Sequence, residues 1–197
     1  MRTERGFSRV VGFSDGVVAI AITLLVLPLV TTAAQHQSDV WTFLADNASD
    51  LFLFALSFVV IGRFWLVHHQ IYENAVGYTP ALVWANLLWL LSIVFLPVPT
   101  QLIASAEREE RITYALYVGT MLVTCFAALL QLAIIRGRPD LQAPEVRGTL
   151  RLAPSWIVIA IMSVALLSAV LFLRAGLFAL LLLALSPVLD RSLARRG

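Results

Sequence analysis

The chain is 197 residues long, 60% hydrophobic and 13% charged, with a formal net charge of +2 and a mean hydropathy of +0.88. A soluble domain carries about a quarter charged residues, so this composition specifies an integral membrane protein and leaves no room for a separate soluble domain. All 14 basic residues are arginine and Cys125 is the one cysteine. These counts exclude a retinal or pyridoxal Schiff base, a Walker-type phosphate loop, intrachain disulfides and cysteine metal clusters.

The first apolar run spans about 10–32. Arg9 opens it, Ser14 and Asp15 lie just inside, and beyond Asp15 it is uncharged as far as Gln35. An ionisable group there is costly to bury in hydrocarbon, so it implies a function or a buried partner. A cleaved leader would also show a basic start and an apolar stretch, but Asp15 is out of place in one, so the run is read as a retained helix. The connection that follows carries Asp39, Asp46 and Asp50. Ser49 or Asp50 is the expected N-cap of a second helix over about 51–72, interrupted by Arg63, His68 and His69. A tight turn at 77–80 then leads through Pro80, a good first-turn residue, into a third helix over about 80–104. Pro97 and Pro99 should kink or end that helix. A mixed-charge loop at 107–111 precedes a fourth helix over about 112–135, long enough to span a bilayer. The polar linker 136–151 leads to a fifth over about 152–173, and a short turn at Arg174 to a sixth over about 177–189. The expected architecture is one all-α membrane domain over 1–197 with six transmembrane helices.

Arginine bias sets the orientation. Arg2, Arg5, Arg9, Arg136, Arg138, Arg147, Arg151, Arg191, Arg195 and Arg196 fall on one side of this topology, against Arg108, Arg111 and Arg174 on the other. Both termini are therefore expected in the cytoplasm, as an even number of crossings requires.

The same topology brings Arg9, Ser14, Asp15, His68 and Asn86 to one membrane level. The economical reading is a buried polar network joining three helices, with Arg9 and Asp15 as a satisfied charge pair. The alternative is that Arg9 snorkels to headgroups and the histidines sit in interfacial water. Neither hydrolysis nor metal binding is expected. Adjacent helical side chains such as Ser14 and Asp15, or His68 and His69, diverge by about 100°. No second carboxylate or glycine elbow converges on Ser14, and the HExxH spacing is absent. No cofactor and no nucleic-acid partner is implied.

On the first run, Ile20, Leu24 and Leu27 follow i, i+4, i+7 spacing with Thr23 alongside, while Asp15, Ala19, Ile22 and Val26 form a roughly opposite face. Periodicity alone does not decide which face meets lipid, a neighbouring helix or a pore.

Three motifs carry a family resemblance: Arg9-x-x-x-Phe13-Ser14-Asp15 with the AIAITLL stretch at 19–25, Trp65-x-x-His68-His69, and Asn86 followed by Leu96-Pro97-Val98-Pro99-Thr100. All lie in the first half of the chain. Together they resemble the bacterial branch of the transmembrane protein 175 family, whose namesake is the lysosomal potassium channel of animals. The resemblance implies that the first helix lines a pore, with Ile20 as its narrowest apolar ring and Thr23, Leu24 and Leu27 beyond it. It places Phe13 and Trp65 with Arg9, Ser14, Asp15, His68 and Asn86 in the structural network. Animal members carry two six-helix repeats and resemble a dimer, so one repeat here implies a homotetramer. The expected function is passive, potassium-favouring cation conduction across a bacterial plasma membrane. A hydrophobic constriction would stand in place of a carbonyl filter, since no TVGYG-type sequence is present. Potassium ions and the bilayer are then its partners. The rivals are a proton pathway through Asp15, His68 and His69, and a transporter or non-conducting scaffold, although no three-plus-three repeat is visible.

Overall fold

The structure is a computed structural model and describes residues 4–35, 39–105 and 111–171. Among these residues it is all-helical, in the order α1 (Glu4–Leu24), α2 (Leu27–Gln35), α3 (Val40–Asp46), α4 (Ala48–Glu73), α5 (Pro80–Phe95), α6 (Pro97–Ala104), α7 (Arg111–Arg136) and α8 (Ala153–Leu171). Four segments are long and apolar enough to cross a membrane: Glu4–Gln35, Ala48–Glu73, Pro80–Ala104 and Arg111–Arg136. The helix expected at 177–189, most of the 107–111 loop, and Arg2, Arg174, Arg191, Arg195 and Arg196 lie outside the described residues.

Proline chemistry explains where the long segments break. Pro28 has no N–H to give to the carbonyl of Leu24, so the first span tightens there into i→i−3 bonds, Leu25 N–H to Ile22 O and Val26 N–H to Thr23 O, both 3.3 Å. The run expected at 10–32 is thus two helices, and its first turn begins earlier, at Glu4. Pro97 does the same to the third span. The Ile93 carbonyl, which Pro97 cannot serve, takes the Leu96 N–H at 3.2 Å, and the chain continues as α6 rather than ending.

Two other expectations are corrected. The connection after α2 holds a short helix, α3, capped by Asp39, whose Oδ1 accepts the N–H groups of Trp41 (2.9 Å) and Thr42 (3.2 Å). The Thr42 hydroxyl, with help from these backbone groups, holds the Asp39 carboxyl below its usual range. α4 then starts at Ala48 after Asn47, so Ser49 and Asp50 lie inside its first turn instead of capping it. Thr79 is the cap of α5, its hydroxyl accepting the Leu82 N–H at 3.2 Å, with Pro80 as first helical residue.

The core runs along α5 and α7, where Trp89, Ile93, Leu82, Tyr117, Met121 and Ile135 are buried, and α8 packs on the other flank of α7. Several small polar residues buried among them find partners, as hydrocarbon surroundings demand, whereas Gln131 on α7, fully buried, has neither side-chain polar atom hydrogen-bonded among the described residues. Ser57 Oγ lies 3.1 Å from Thr100 Oγ1 and 3.2 Å from Tyr117 Oη. Thr124 donates to Ser92 Oγ at 2.9 Å, which joins α7 to α5. The 136–151 linker is ordered by Gln142. Its amide donates to the last carbonyls of α7, Ile135 O (3.1 Å) and Arg136 O (2.8 Å), and its oxygen accepts the Gly148 N–H (2.9 Å). Backbone bonds from Val76 N–H to Leu141 O and from Ala143 N–H to Asn74 O, both 2.9 Å, dock the linker on the end of α4.

Tyr117→Phe deletes one side of the Ser57 contact and leaves the Ser57–Thr100 contact intact. The expected loss is about 0.5–1.5 kcal/mol, read as a lowered midpoint of unfolding in detergent. A variant as stable as the parent would show that the buried hydroxyl does not bind α7 to α4.

Candidate functional site and its polar anchor

One meridian of the first span packs inward. Ser14, Val18, Ala21 and Leu25, spaced i, i+4, i+7, i+11, are its buried residues. Ile20, Leu24 and Leu27 are 62%, 43% and 56% exposed, and Thr23 is exposed beside them. At about 100° per residue these positions centre well over 90° from the buried meridian. The stripe of Asp15, Ala19, Ile22 and Val26 is a flank and not the buried back of the helix: Asp15 and Ile22 are half-buried, Ala19 and Val26 exposed. The Thr23 hydroxyl donates to Ile20 O at 2.8 Å, so the oxygen turns only its lone pairs outward.

The inward side is anchored by Asn86. Its Nδ2 donates to Ser14 Oγ on α1 and its Oδ1 meets His68 Nε2 on α4, both at 2.8 Å. Directions follow from chemistry. The Ser14 hydroxyl gives its proton to Val10 O at 2.9 Å, so Ser14 Oγ is free to accept from the Asn86 amide. That leaves the Asn86 oxygen facing His68, and an amide oxygen only accepts, so Nε2 of His68 carries the hydrogen. All three residues are 1–2% exposed. The His68 ring is sandwiched between Trp89 (centroids 4.0 Å apart) and Tyr72 (4.4 Å), which fixes its orientation. A second tie from α4 reaches α1 where Trp65 Nε1 donates to Asp15 Oδ1 at 2.8 Å.

The expected network is therefore divided. Ser14, His68 and Asn86 form one cluster, and Asp15 and Trp65 form a pair. Arg9 and Phe13 lie on the exposed side of α1, and among the described residues neither joins the cluster. The reason is angular. Arg9 and Asp15 are six residues apart, so their side chains diverge by about 120° around the helix. Asp15 is matched by an indole, not a guanidinium. Of the adjacent histidines, His69 faces outward and meets Glu73 at 3.2 Å. Arg63 lines a cavity of about 310 Å³ between α4, α7 and α8, together with Cys125 and Arg151. Among the described residues no group of three metal-ligating side chains occurs. The Ser57, Thr100 and Tyr117 contacts escape sequence reading, because isolated hydroxyls in apolar helices have no spacing that distinguishes a buried one from a lipid-facing one.

These features define a multi-pass α-helical membrane protein whose first span is anchored on one side and uncovered on the other. A family model described as "Endosomal/lysosomal potassium channel TMEM175" matches residues 9–97, which include every residue of both polar clusters. The chain is 35% identical over 149 residues to a potassium channel of Streptomyces collinus, covering 72% of each protein. It is 34% identical over 120 residues to a potassium channel of Chamaesiphon minutus, covering 58% of each. An endosomal/lysosomal proton channel TMEM175 of Gallus gallus is 31% identical over 135 residues, which span 64% of this chain but 27% of that protein. The crystal structure of a lysosomal potassium-selective channel TMEM175 homolog from Chamaesiphon minutus superposes with a TM-score of 0.75 at 25% identity, covering 94% of this chain and 98% of that one. The chain belongs to the TMEM175 family.

Asn86→Leu removes both amide bonds at once and strands the Ser14 and His68 groups in the core. It should destabilise the protein by about 2–4 kcal/mol. Arg9→Gln and His69→Ala, at exposed positions, should stay within about 0.5 kcal/mol of the parent. Thermal unfolding of the purified variants reads the order. Equal losses for Asn86→Leu and Arg9→Gln would show that Arg9 belongs to the anchor after all.

Proposed function

We propose that this chain is the subunit of a homotetrameric, potassium-favouring cation channel with six membrane crossings per copy and both termini in the cytoplasm. The carrying observation is the first span. Its packed meridian is held by Asn86 and Trp65, while Ile20, Thr23, Leu24 and Leu27 are left without cover by the chain itself. Copies of this face arranged about a fourfold axis would enclose a path that a single chain does not. Kinship with bacterial relatives named as potassium channels supports the ion.

On this reading Ile20 forms the narrowest ring. An apolar ring of that kind excludes ions unless water fills it, so dehydration governs passage and differs between potassium and sodium. Thr23, one turn further along, offers a ring of acceptor oxygens because its proton is committed to the Ile20 carbonyl. Selectivity then arises from the cost of shedding water at Ile20 set against partial replacement at Thr23.

Proton conduction is the second reading, motivated by the buried His68 and by vertebrate relatives named as proton channels. The hydrogen bonds run against a relay through the anchor. The Ser14 proton ends on the Val10 backbone carbonyl, which has nowhere to pass it.

Reconstituted protein under separately imposed potassium, sodium and proton gradients distinguishes these readings, and native mass measurement should give four subunits. Ile20→Asn should raise potassium current severalfold and bring potassium and sodium permeabilities together, because a polar ring wets the constriction. Thr23→Ala should lower discrimination without changing assembly. Val164→Ala, on the exposed side of α8, is the control and should change neither. Current and reversal potential at Ile20→Asn that match the control would remove this face from the ion path.

A further inference from the structure

We propose that a small cavity behind α2 is a binding site for an alkali-metal cation, held by the Asp50 carboxylate with oxygen atoms of Thr32 and Gln101. The cavity, about 100 Å³, lies where α2, the first turn of α4 and α6 meet. Water needs about 10–15 Å³ by this kind of measure, so there is room for a cation that keeps several of its waters.

The chemistry of the lining is that of a hard-cation site. Its one charged residue is Asp50, and no arginine or histidine lines it. Among the described residues no cationic side chain pairs with Asp50 anywhere else. Ser49 donates to Asp50 Oδ1 at 3.5 Å, but the threonine hydroxyls that line the cavity have already given their protons away. Thr31 and Thr32 both donate to Pro28 O, at 2.7 and 3.0 Å, and Thr100 donates to Leu96 O at 2.9 Å. A hydroxyl whose proton is taken by its own helix can offer a neighbour only lone pairs. The cavity therefore presents one carboxylate and several neutral oxygens. That set balances a monovalent ion. Calcium sites gather more oxygen ligands, with several carboxylates among them, and magnesium demands a tighter octahedral shell.

The site is off the proposed ion path. Of the α1–α2 residues that line it, Leu25, Pro28, Leu29 and Thr32 lie toward the packed side of the first span, while Thr31, four past Leu27, marks its edge toward the exposed stripe. An ion there would tie three helices together at the level of the Pro28 break, where the first span has lost a backbone hydrogen bond. Its effect is to hold the outer half of that span in place.

The test needs no current and so stands apart from the channel reading. Thallous ion, which replaces potassium and scatters anomalously, should give a density peak beside Asp50 in crystals of the full chain. In detergent, potassium added in place of N-methylglucamine at constant ionic strength should raise the unfolding temperature saturably. Asp50→Asn should abolish the part of that rise that the site contributes, and Asp46→Asn, an exposed acid that does not line the cavity, should leave it whole. Absence of thallous density at the cavity, or a potassium-dependent shift unchanged in Asp50→Asn, overturns the proposal. Should Asp50→Asn fail to fold, the thallous density in the parent protein decides alone. A protein that binds the ion here yet conducts nothing would sink the channel reading and leave this one standing.

Discussion

Polar groups taken into hydrocarbon need a protein partner, and Asn86 supplies two of them. One side-chain amide joins the serine of the first span to the imidazole of the second, and it does so from the third. Each hydrogen bond in this chain has a single permissible direction, because the Ser14 proton is already committed to its own helix. A network with one permissible arrangement specifies rotation as well as contact. It fixes which meridian of α1 faces inward, and so by default which meridian does not.

That default carries the functional reading. The exposed face of α1 holds no charge past Asp15 and is not distinguished by hydrophobicity from the face that packs. What separates them is the anchor. Had Asn86 met a residue one position along, every side chain of the first span would have turned by about 100°, and Ile20 would have moved off the uncovered face. The outward placement of Ile20 is thus settled by polar atoms nearer the start of the same helix.

Four spans and the shared level of Ser14, His68 and Asn86 were legible in the sequence, because apolar length and topology determine them; the ends were less so, since the first span begins at Glu4 and breaks at Pro28. Rotation was harder to read. In a helix that is apolar all round, no amphipathic contrast marks the buried side, so the flank of Asp15, Ala19, Ile22 and Val26 reads as a back face when it is not. Charge attraction misleads in a similar way: Arg9 and Asp15 are near in sequence, but helical geometry sends them to different sides and gives Asp15 to Trp65. The α3 turn was legible in retrospect from Asp39, a cap residue that stands directly before an apolar stretch, but its short length gives periodicity too little to work with.

The two proline breaks have a mechanical consequence. A helix bends most easily where its backbone ladder is incomplete, and the first and third spans both lose a rung, at Leu25–Val26 and at Leu96. Below those points the bundle is braced by Asn86, Trp65 and the aromatic stack around His68. Above them the third span is still tied to α4 by Thr100 and Ser57, whereas α2 has no buried residue. Strain applied at the Gln35 end by membrane thickness is taken up at the Pro28 joint before it reaches the braced half. The register of Ile20 is thereby insulated from whatever bends the mouth of the same helix.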